Sequence, residues 1–193
     1  MRRLVLASAN PDKTAELGHF LEGSGMEVVS ITVLHPGWEV EETEVTLAGN
    51  ALLKARAASA ATGLPSVADD TGLFVDVLGG APGIYTARFA GAGCSYADNV
   101  RKLLVMMMLE SNRRAWFRTV VAFCDPAGGS YHVSGEVSGV ITLEPSGEGG
   151  FGYDPVFQAD GLIRTFAACT PEEKHSVSHR ARAMALLREK LPV

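Results

Sequence analysis

The N-terminal half of this chain alternates short apolar runs with longer amphipathic segments, and this order constrains the fold more than any other feature. Residues 4–7 are apolar and strand-like. The next segment, NPDKTAELGHFLEG, offers Asn10 as a helix cap, Pro11 as the first helical residue and Gly23 as a stop. The runs MEVVSI and PSVA are again strand-like, and the helical segment TLAGNALLKARAASAATG lies between them. Strands that alternate with helices predict an α/β fold.

The C-terminal half adds a hairpin to this pattern. Two β-like runs, AWFRTVVAFCDP and YHVSGEVSGVITL, flank the turn DPAGG. The segments YADNVRKLLVMMMLE and SHRARAMALLREKL predict two further helices, and Thr170 with Glu173 matches a capping box. A hairpin combined with strand–helix units predicts a mixed sheet, and we expect residues 1–193 to form a single domain.

Composition excludes several classes of function. A formal charge of −5, from 22 acidic and 17 basic residues, provides no general attraction to nucleic acid or to an anionic membrane. No run approaches the roughly 18 apolar residues of a membrane span. The three cysteines form no C-x-x-C pair for zinc binding or redox work, and their odd number is typical of a reducing compartment. We therefore expect a cytoplasmic protein with no nucleic-acid or membrane partner.

An acidic pair follows the apolar run PSVA, where the sequence continues as DDTG. Asp69 and Asp70 therefore stand at the predicted carboxyl end of a strand, which is where ligands bind in open α/β sheets. Adjacent carboxylates repel each other unless a cation lies between them, and Mg²⁺ is a hard cation that prefers oxygen ligands. A solvated turn with an Asp cap is the alternative.

A second acidic group precedes the helix that carries Asn50 and Lys54. Glu41, Glu42 and Glu44 form this group, and its alternative role is to complement the helix N-terminus. Asn50 and Lys54 are four residues apart and share one helix face. An amide and an ammonium together suit a phosphate oxygen, although a lysine on a helix is more often simply solvated.

A polar turn, SANPDK, joins the first strand to the first helix. It presents Ser8, Asn10 and Lys13 where free backbone N–H groups and the helix dipole favour an anion. The pattern of a P-loop is absent from the sequence. The turn is therefore a candidate phosphate site of a different kind.

A glycine-rich loop, GEGGFGYDPVF, displays Phe151, Gly152, Tyr153 and Asp154. Glycine lets a backbone approach a ligand closely, and an aromatic ring offers a stacking face for a base. An ordinary loop with a buried Phe is the alternative.

The segment EEKHSVSHRARA gathers Lys174, His175, His179 and Arg180. The two histidines have the i, i+4 spacing of metal ligands, but no third ligand pattern accompanies them. We therefore interpret these residues as hydrogen-bond donors and not as zinc ligands.

Five segments together, in this order, resemble the inosine triphosphate pyrophosphatase family: LASANPDK, GNALLKA, VADDTGLFVDVLGGAPGIYTARFAG, GGFGYDPVF and TPEEKHSVSHRARA. The resemblance extends from about residue 4 to the last predicted helix. It implies a two-lobed α/β fold with a long mixed sheet, helices packed on it and a central cleft, usually in a homodimer. It also implies hydrolysis of non-standard purine nucleoside triphosphates to the monophosphate and pyrophosphate.

The resemblance further implies roles for individual residues. Glu42 and Asp70 would bind Mg²⁺, Asp70 would also accept the proton of the attacking water, and Asp69 would keep the local potential negative. The sequence does not separate the base from the metal ligand. The phosphate-binding residues would be Ser8, Asn10, Lys13, Asn50, Lys54 and Thr71. The residues around the base would be Phe151, Gly152, Tyr153, Asp154, Lys174, His179 and Arg180.

Two other functions fit parts of the sequence. An aspartyl-phosphate phosphatase would use Asp69 or Asp70 as a nucleophile, but that class requires D-x-D-x-[TV], and Thr71 stands where the second Asp is needed. A purine nucleotide sensor would keep the pocket without turnover. The presence of both carboxylate groups and both lysines favours an enzyme over a sensor.

Overall fold

The structure, a computed structural model, describes residues 2–191 apart from the side chain of Asp12. Within this range the strands are β1 (Arg2–Leu6), β2 (Met26–Ser30), β3 (Ser66–Val75), β4 (Pro82–Gly83), β5 (Arg114–Cys124), β6 (Ser130–Ile141) and β7 (Phe157–Ala159). The α-helices are α1 (Pro11–Phe20), α2 (Ile31–Leu34), α3 (Leu47–Thr62), α4 (Tyr96–Met106), α5 (Pro171–Val177) and α6 (His179–Lys190). None of these helices is long and apolar enough to cross a membrane.

The strands form a mixed sheet, as the sequence predicts. Its hydrogen-bonded order is β2-β1-β3-β5-β6-β7, and β4 pairs with β3. β1 runs parallel to β2 and β3, whereas β4 and β7 are antiparallel to their partners. β5 and β6 are the predicted hairpin, joined by a turn in which the Asp125 N–H donates to the Gly129 carbonyl at 2.9 Å. The α/β prediction is confirmed.

Strand β3 corrects one expectation. The sequence predicted a short strand that ends at the acidic pair, but β3 continues through that pair and has 10 residues. Its first residues pair with β1, Val5 opposite Ser66 and Leu6 opposite Val67. Because β4 and β5 supply hydrogen-bonding partners beyond the end of β1, the backbone stays extended. The acidic pair therefore lies inside a strand, just past the end of its parallel neighbour.

The predicted signals at the ends of α3 and at the start of α5 are confirmed. The Thr46 side chain caps α3 by accepting from the Gly49 N–H at 3.0 Å, and Gly63 ends the helix in the left-handed conformation. Thr170 and Glu173 form both hydrogen bonds of a capping box at the start of α5. These contacts involve residues at most four apart, so they form wherever the helix forms.

The chain divides into two compact units, and the single-domain organisation stays a prediction. The first unit comprises Met1–Asp70, Thr119–Gly135 and Arg182–Val193. Its core joins β1, β3, β5 and β6 to α1 and α6 through apolar side chains alone. The buried residues that form it are Leu4, Leu6, Leu17, Leu21, Val67, Val121, Phe123, Val133, Ala183, Met184, Leu187 and Leu191.

The second unit comprises Thr71–Arg118 and Glu136–Ala181 and has its own core. Side chains of α4, the long strands and the segment around β7 interlock there, with Phe117 edge-on to Phe157 at 4.7 Å between ring centroids. Its larger buried members are Leu73, Leu103, Met107, Ile141, Tyr153, Phe157 and Phe166. Each unit thus buries its own apolar cluster.

Candidate active site

The first unit brings the acidic pair of β3 beside the polar turn that follows β1. Asp69 is buried and Asp70 is partly buried. Lys13, in the first turn of α1, places its Nζ 2.9 Å from Asp69 Oδ1. In the polar turn that precedes α1, Ser8 Oγ accepts from the Asn10 N–H at 3.1 Å. The predicted phosphate turn and the predicted acidic pair are therefore neighbours.

Lys54 reaches the same place from the middle of α3. Its Nζ donates to Glu42 Oε1 at 2.7 Å and to Asp70 Oδ1 at 3.3 Å. Lys54 is only 9% exposed, so this ammonium is largely removed from water. One cation thus joins the two carboxylates that the family resemblance nominates as metal ligands.

Burial and charge act in opposite directions on these groups. Burial lowers the pKa of Lys54, but the charges of Asp70, Asp69 and Glu42 outweigh it and leave that pKa above its ordinary value. Burial raises the pKa of the Asp70 carboxyl; Lys54 and Lys13 oppose this rise, whereas Glu42 and Asp69 add to it. The net effect leaves the pKa of Asp70 above its ordinary value.

Asn50 connects the acidic segment to the acidic pair. This side chain is 1% exposed; its Oδ1 accepts from the Glu44 N–H at 3.0 Å, and its Nδ2 faces Asp70 Oδ2 at 3.5 Å. The sequence placed Asn50 with the phosphate-binding residues. The structure uses both ends of its amide inside the chain, which positions the segment that carries Glu42.

The acidic segment itself contributes unequally. Glu42 is partly buried against Lys54, whereas Glu41 and Glu44 are exposed. Thr71, the residue after the acidic pair, is partly exposed on β3. Of the three glutamates in this segment, Glu42 is the partly buried one.

The second unit organises the glycine-rich loop around a buried ion pair. Asp154 Oδ2 accepts from Lys174 Nζ at 2.7 Å and from the Phe151 N–H at 2.9 Å. Both charged residues are buried, with Lys174 9% and Asp154 4% exposed. Gly150 adopts a φ of +70°, and a Cβ on this residue would collide with the Asp154 carboxylate. A glycine is therefore required for the loop to close on Asp154.

Phe151 has cations over its ring. Lys174 Nζ lies 5.0 Å and Arg180 Cζ 5.2 Å from the ring centroid. His179 is buried and stacks on Phe117, with 4.7 Å between ring centroids. The loop aromatic and the donors predicted from the C-terminal segment are thus assembled within one unit.

The hydroxyl of Tyr153 makes its hydrogen bond within the protein. Tyr153 lies in the core and donates from its hydroxyl to the Thr86 carbonyl at 3.1 Å, and burial raises its pKa.

His175 lies in α5, whereas His179 begins α6 after a break at Ser178. In the described part of the chain no group of three or more His, Cys, Asp or Glu is arranged to hold a metal ion.

Comparison with known proteins identifies the family of the chain. The model of the Ham1 family matches residues 4–190. The chain belongs to the Ham1 family. Among curated members, the dITP/XTP pyrophosphatase of Yersinia pestis is 46% identical over 198 residues, covering 99% of this chain and 98% of that protein.

Solved Ham1-family structures have the same fold. The Staphylococcus aureus Ham1 protein matches with a TM-score of 0.89 and 39% identity, covering 97% of each chain. A nucleoside-triphosphatase, or dITP/XTP pyrophosphatase, of Mycobacterium abscessus matches with a TM-score of 0.78 and 44% identity, covering 99% of this chain and 100% of that one. The family resemblance inferred from the motifs is confirmed.

Three contacts in this Ham1-family chain escaped sequence reasoning. They join Lys54 to Glu42, Lys54 to Asp70 and Lys174 to Asp154, and each spans more than ten positions of the chain. The sequence carried a weak signal for the contact between Asp154 and Lys174, because a buried Asp and a buried Lys are each stabilised by an oppositely charged partner.

Proposed function

We propose that this chain hydrolyses non-standard purine nucleoside triphosphates, namely ITP, dITP and XTP, to the monophosphate and pyrophosphate, and so cleanses the nucleotide pool. The observation that carries the proposal is the cluster of Lys13, Lys54, Asp69 and Asp70 in the first unit. Two ammonium groups beside a proton-accepting carboxylate provide what phosphoryl transfer needs, which is positioning and charge stabilisation. Relatives named dITP/XTP pyrophosphatases support the assignment of the substrates.

In the proposed reaction, water attacks the α-phosphorus. Asp70 accepts a proton of that water as the new P–O bond forms, and the bond to the bridging oxygen of the β-phosphate breaks to release pyrophosphate. The position of Asp70 favours this role, because its carboxylate lies partly buried beside Lys54, a proposed phosphate-binding residue. Asp69, paired with Lys13, keeps a second negative charge beside the base.

The phosphate oxygens would be held by the polar turn after β1 and by the lysines. Lys13 and Lys54 act as point charges against the negative charge that develops in the transition state. Ser8, Asn10 and Thr71 supply neutral polar groups beside them. Asn50, which like Lys54 contacts Asp70, would add an amide to this group, and it also holds the segment of Glu42 by accepting from the Glu44 N–H.

The carboxylates of Glu42 and Asp70 fit Mg²⁺. Their oxygens already converge on one cation, Lys54 Nζ. Oxygen donors from one or two carboxylates, completed by water and substrate phosphate, are the usual ligands of Mg²⁺ in proteins that bind nucleotides. When bound, the ion would neutralise charge on the phosphate oxygens.

The base would stack on Phe151, in the cluster of the second unit that also holds Lys174 and Arg180. Hypoxanthine and xanthine present an acceptor, O6, where adenine presents an amino donor. Donors such as Arg180 and His179 would pair with O6 but oppose the amino group. Buried groups left unpaired in this way give discrimination of order 10⁴, so ATP should be a poor substrate.

We further propose that the protein works as a cytoplasmic homodimer. All three cysteines are free thiols, which supports a reducing compartment.

Large apolar side chains near the end of α4 are exposed, with Met108 70% and Leu109 94% accessible, and a second copy of the chain would cover them. Sedimentation would test the dimer directly.

A substrate panel with pyrophosphate detection tests the proposed activity. ITP, dITP and XTP should release pyrophosphate with Mg²⁺ and not with EDTA, and ATP should be turned over far more slowly. Tight binding of ITP without pyrophosphate release would instead make the protein a sensor. A phosphorylated-aspartate intermediate would support the phosphatase alternative.

A further inference from the structure

The Lys54 ammonium occupies the position between Glu42 and Asp70, the two carboxylates proposed to hold Mg²⁺. We propose that Lys54 is a resident cation, which holds this carboxylate pair until a triphosphate draws the ammonium away. The carboxylates then become fully available to a divalent ion only when nucleotide is present. This inference rests on the proposed function, because it assumes that the triphosphate and the metal use this cluster.

The electrostatics favour a cation at this position. Glu42 and Asp70 lie next to the buried Asp69, so without a positive charge between them three carboxylates would repel one another. Lys54 relieves that repulsion in the protein alone. A divalent ion that binds the same oxygens would face an ammonium at close range, and two adjacent cations repel in a partly desolvated site. The ion must therefore compete with Lys54.

A triphosphate changes that competition. Its oxygens offer the ammonium new acceptors, and the four-carbon stem of lysine lets Nζ swing between acceptors while α3 stays in place. Lys54 would then follow the phosphate, and the carboxylate oxygens that it leaves become available for the ion. Nucleotide and metal should consequently strengthen each other's binding, and Lys54 should account for part of that coupling.

Lys13 provides a matched control. It carries the same charge and lies 2.9 Å from a neighbouring carboxylate, but this carboxylate is Asp69 and not one of the proposed ligands. Removing Lys13 changes the net charge of the cluster as much as removing Lys54 does. Only the removal of Lys54 empties the position between Glu42 and Asp70.

The experiment measures Mn²⁺ binding without nucleotide, by electron paramagnetic resonance of free Mn²⁺ in solutions of wild type, Lys54→Met and Lys13→Met. We expect Lys54→Met to bind Mn²⁺ about tenfold more tightly than wild type, a coupling of ordinary size. Lys13→Met should gain less than about threefold. Equal gains in the two variants, or no gain in Lys54→Met, would overturn the proposal.

A second titration adds a saturating ITP analogue with a methylene bridge between the α- and β-phosphorus atoms. The analogue should increase Mn²⁺ affinity about tenfold more in wild type than in Lys54→Met. An equal increase in both proteins contradicts the proposal. If Lys54→Met is unfolded without metal, Mn²⁺ must restore its far-ultraviolet circular dichroism, and failure to do so also contradicts it.

These outcomes are separable from those of the proposed function. Pyrophosphate release by wild type tests the activity and does not depend on the order in which metal and nucleotide bind. Turnover of ITP together with equal Mn²⁺ gains in both variants removes the role of Lys54 and leaves the activity standing. Absence of turnover with every purine triphosphate removes the activity itself.

Discussion

The ammonium of Lys174 lies 2.7 Å from the carboxylate of Asp154, and both side chains are buried. The same carboxylate oxygen accepts the Phe151 N–H. One ion pair therefore supports both the loop that carries the aromatic ring and the cation that lies over its face. Loss of this ion pair should both disturb the glycine-rich loop and lower the free energy of unfolding.

Asp154→Ala should destabilise the protein by about 3 kcal/mol, because it leaves the Lys174 charge buried without its partner. Asp160→Ala is the matched control: Asp160 pairs with Arg114 through two hydrogen bonds at an exposed position, where an ion pair contributes about 1 kcal/mol or less. Urea unfolding measures both losses. Equal losses would show that the buried pair has no special structural role.

Asp70→Asn should lower turnover far more than it weakens nucleotide binding. An amide cannot accept the proton of the attacking water at neutral pH, yet it keeps the size of the carboxylate. Steady-state kinetics with ITP and Mg²⁺ give kcat, and binding of the methylene analogue gives the affinity. If Asp70→Asn turns over ITP at a rate near that of wild type, Asp70 is not the base. In the wild type, chelation of the metal should abolish activity.

Lys13→Ala and Lys54→Ala should each weaken the handling of the triphosphate. A charge-assisted hydrogen bond contributes about 1.5–3 kcal/mol, so kcat/KM for ITP should fall roughly ten- to a hundredfold in each variant. Inosine, which lacks phosphate, should bind both variants about as well as wild type. An unchanged kcat/KM in both variants would contradict a phosphate role.

Different residues should control how tightly a purine base binds and which purine base is preferred. Phe151→Ala should lose about 1–3 kcal/mol of binding for any purine, since every base has a stacking face, and the ranking of substrates should stay the same. Arg180→Ala and His179→Ala should lower ITP activity more than ATP activity, because these are the donors that we propose to pair with O6. The ratio of kcat/KM for ITP to that for ATP is the quantity to measure. If both variants keep the wild-type ratio, discrimination lies elsewhere in the pocket.

Sequence reasoning succeeded where the determining contacts are short in sequence. The end of α3 at Gly63 and the capping box at Thr170 depend on residues at most four positions apart. It placed the end of β3 wrongly at the acidic pair, because strand length depends on which neighbours supply hydrogen bonds. In this chain β4 and β5 supply them.

The sequence alone determined the kinds of chemistry available: paired carboxylates, lysines at helix positions, and an aromatic ring in a glycine-rich loop, in the order typical of one family. The tertiary structure decided their partners. Lys54 meets Glu42 across 12 positions and Asp70 across 16, and Lys174 meets Asp154 across 20. The physical reason is that packing selects partners through space, and a buried ammonium pairs with whichever carboxylate packing brings close to it.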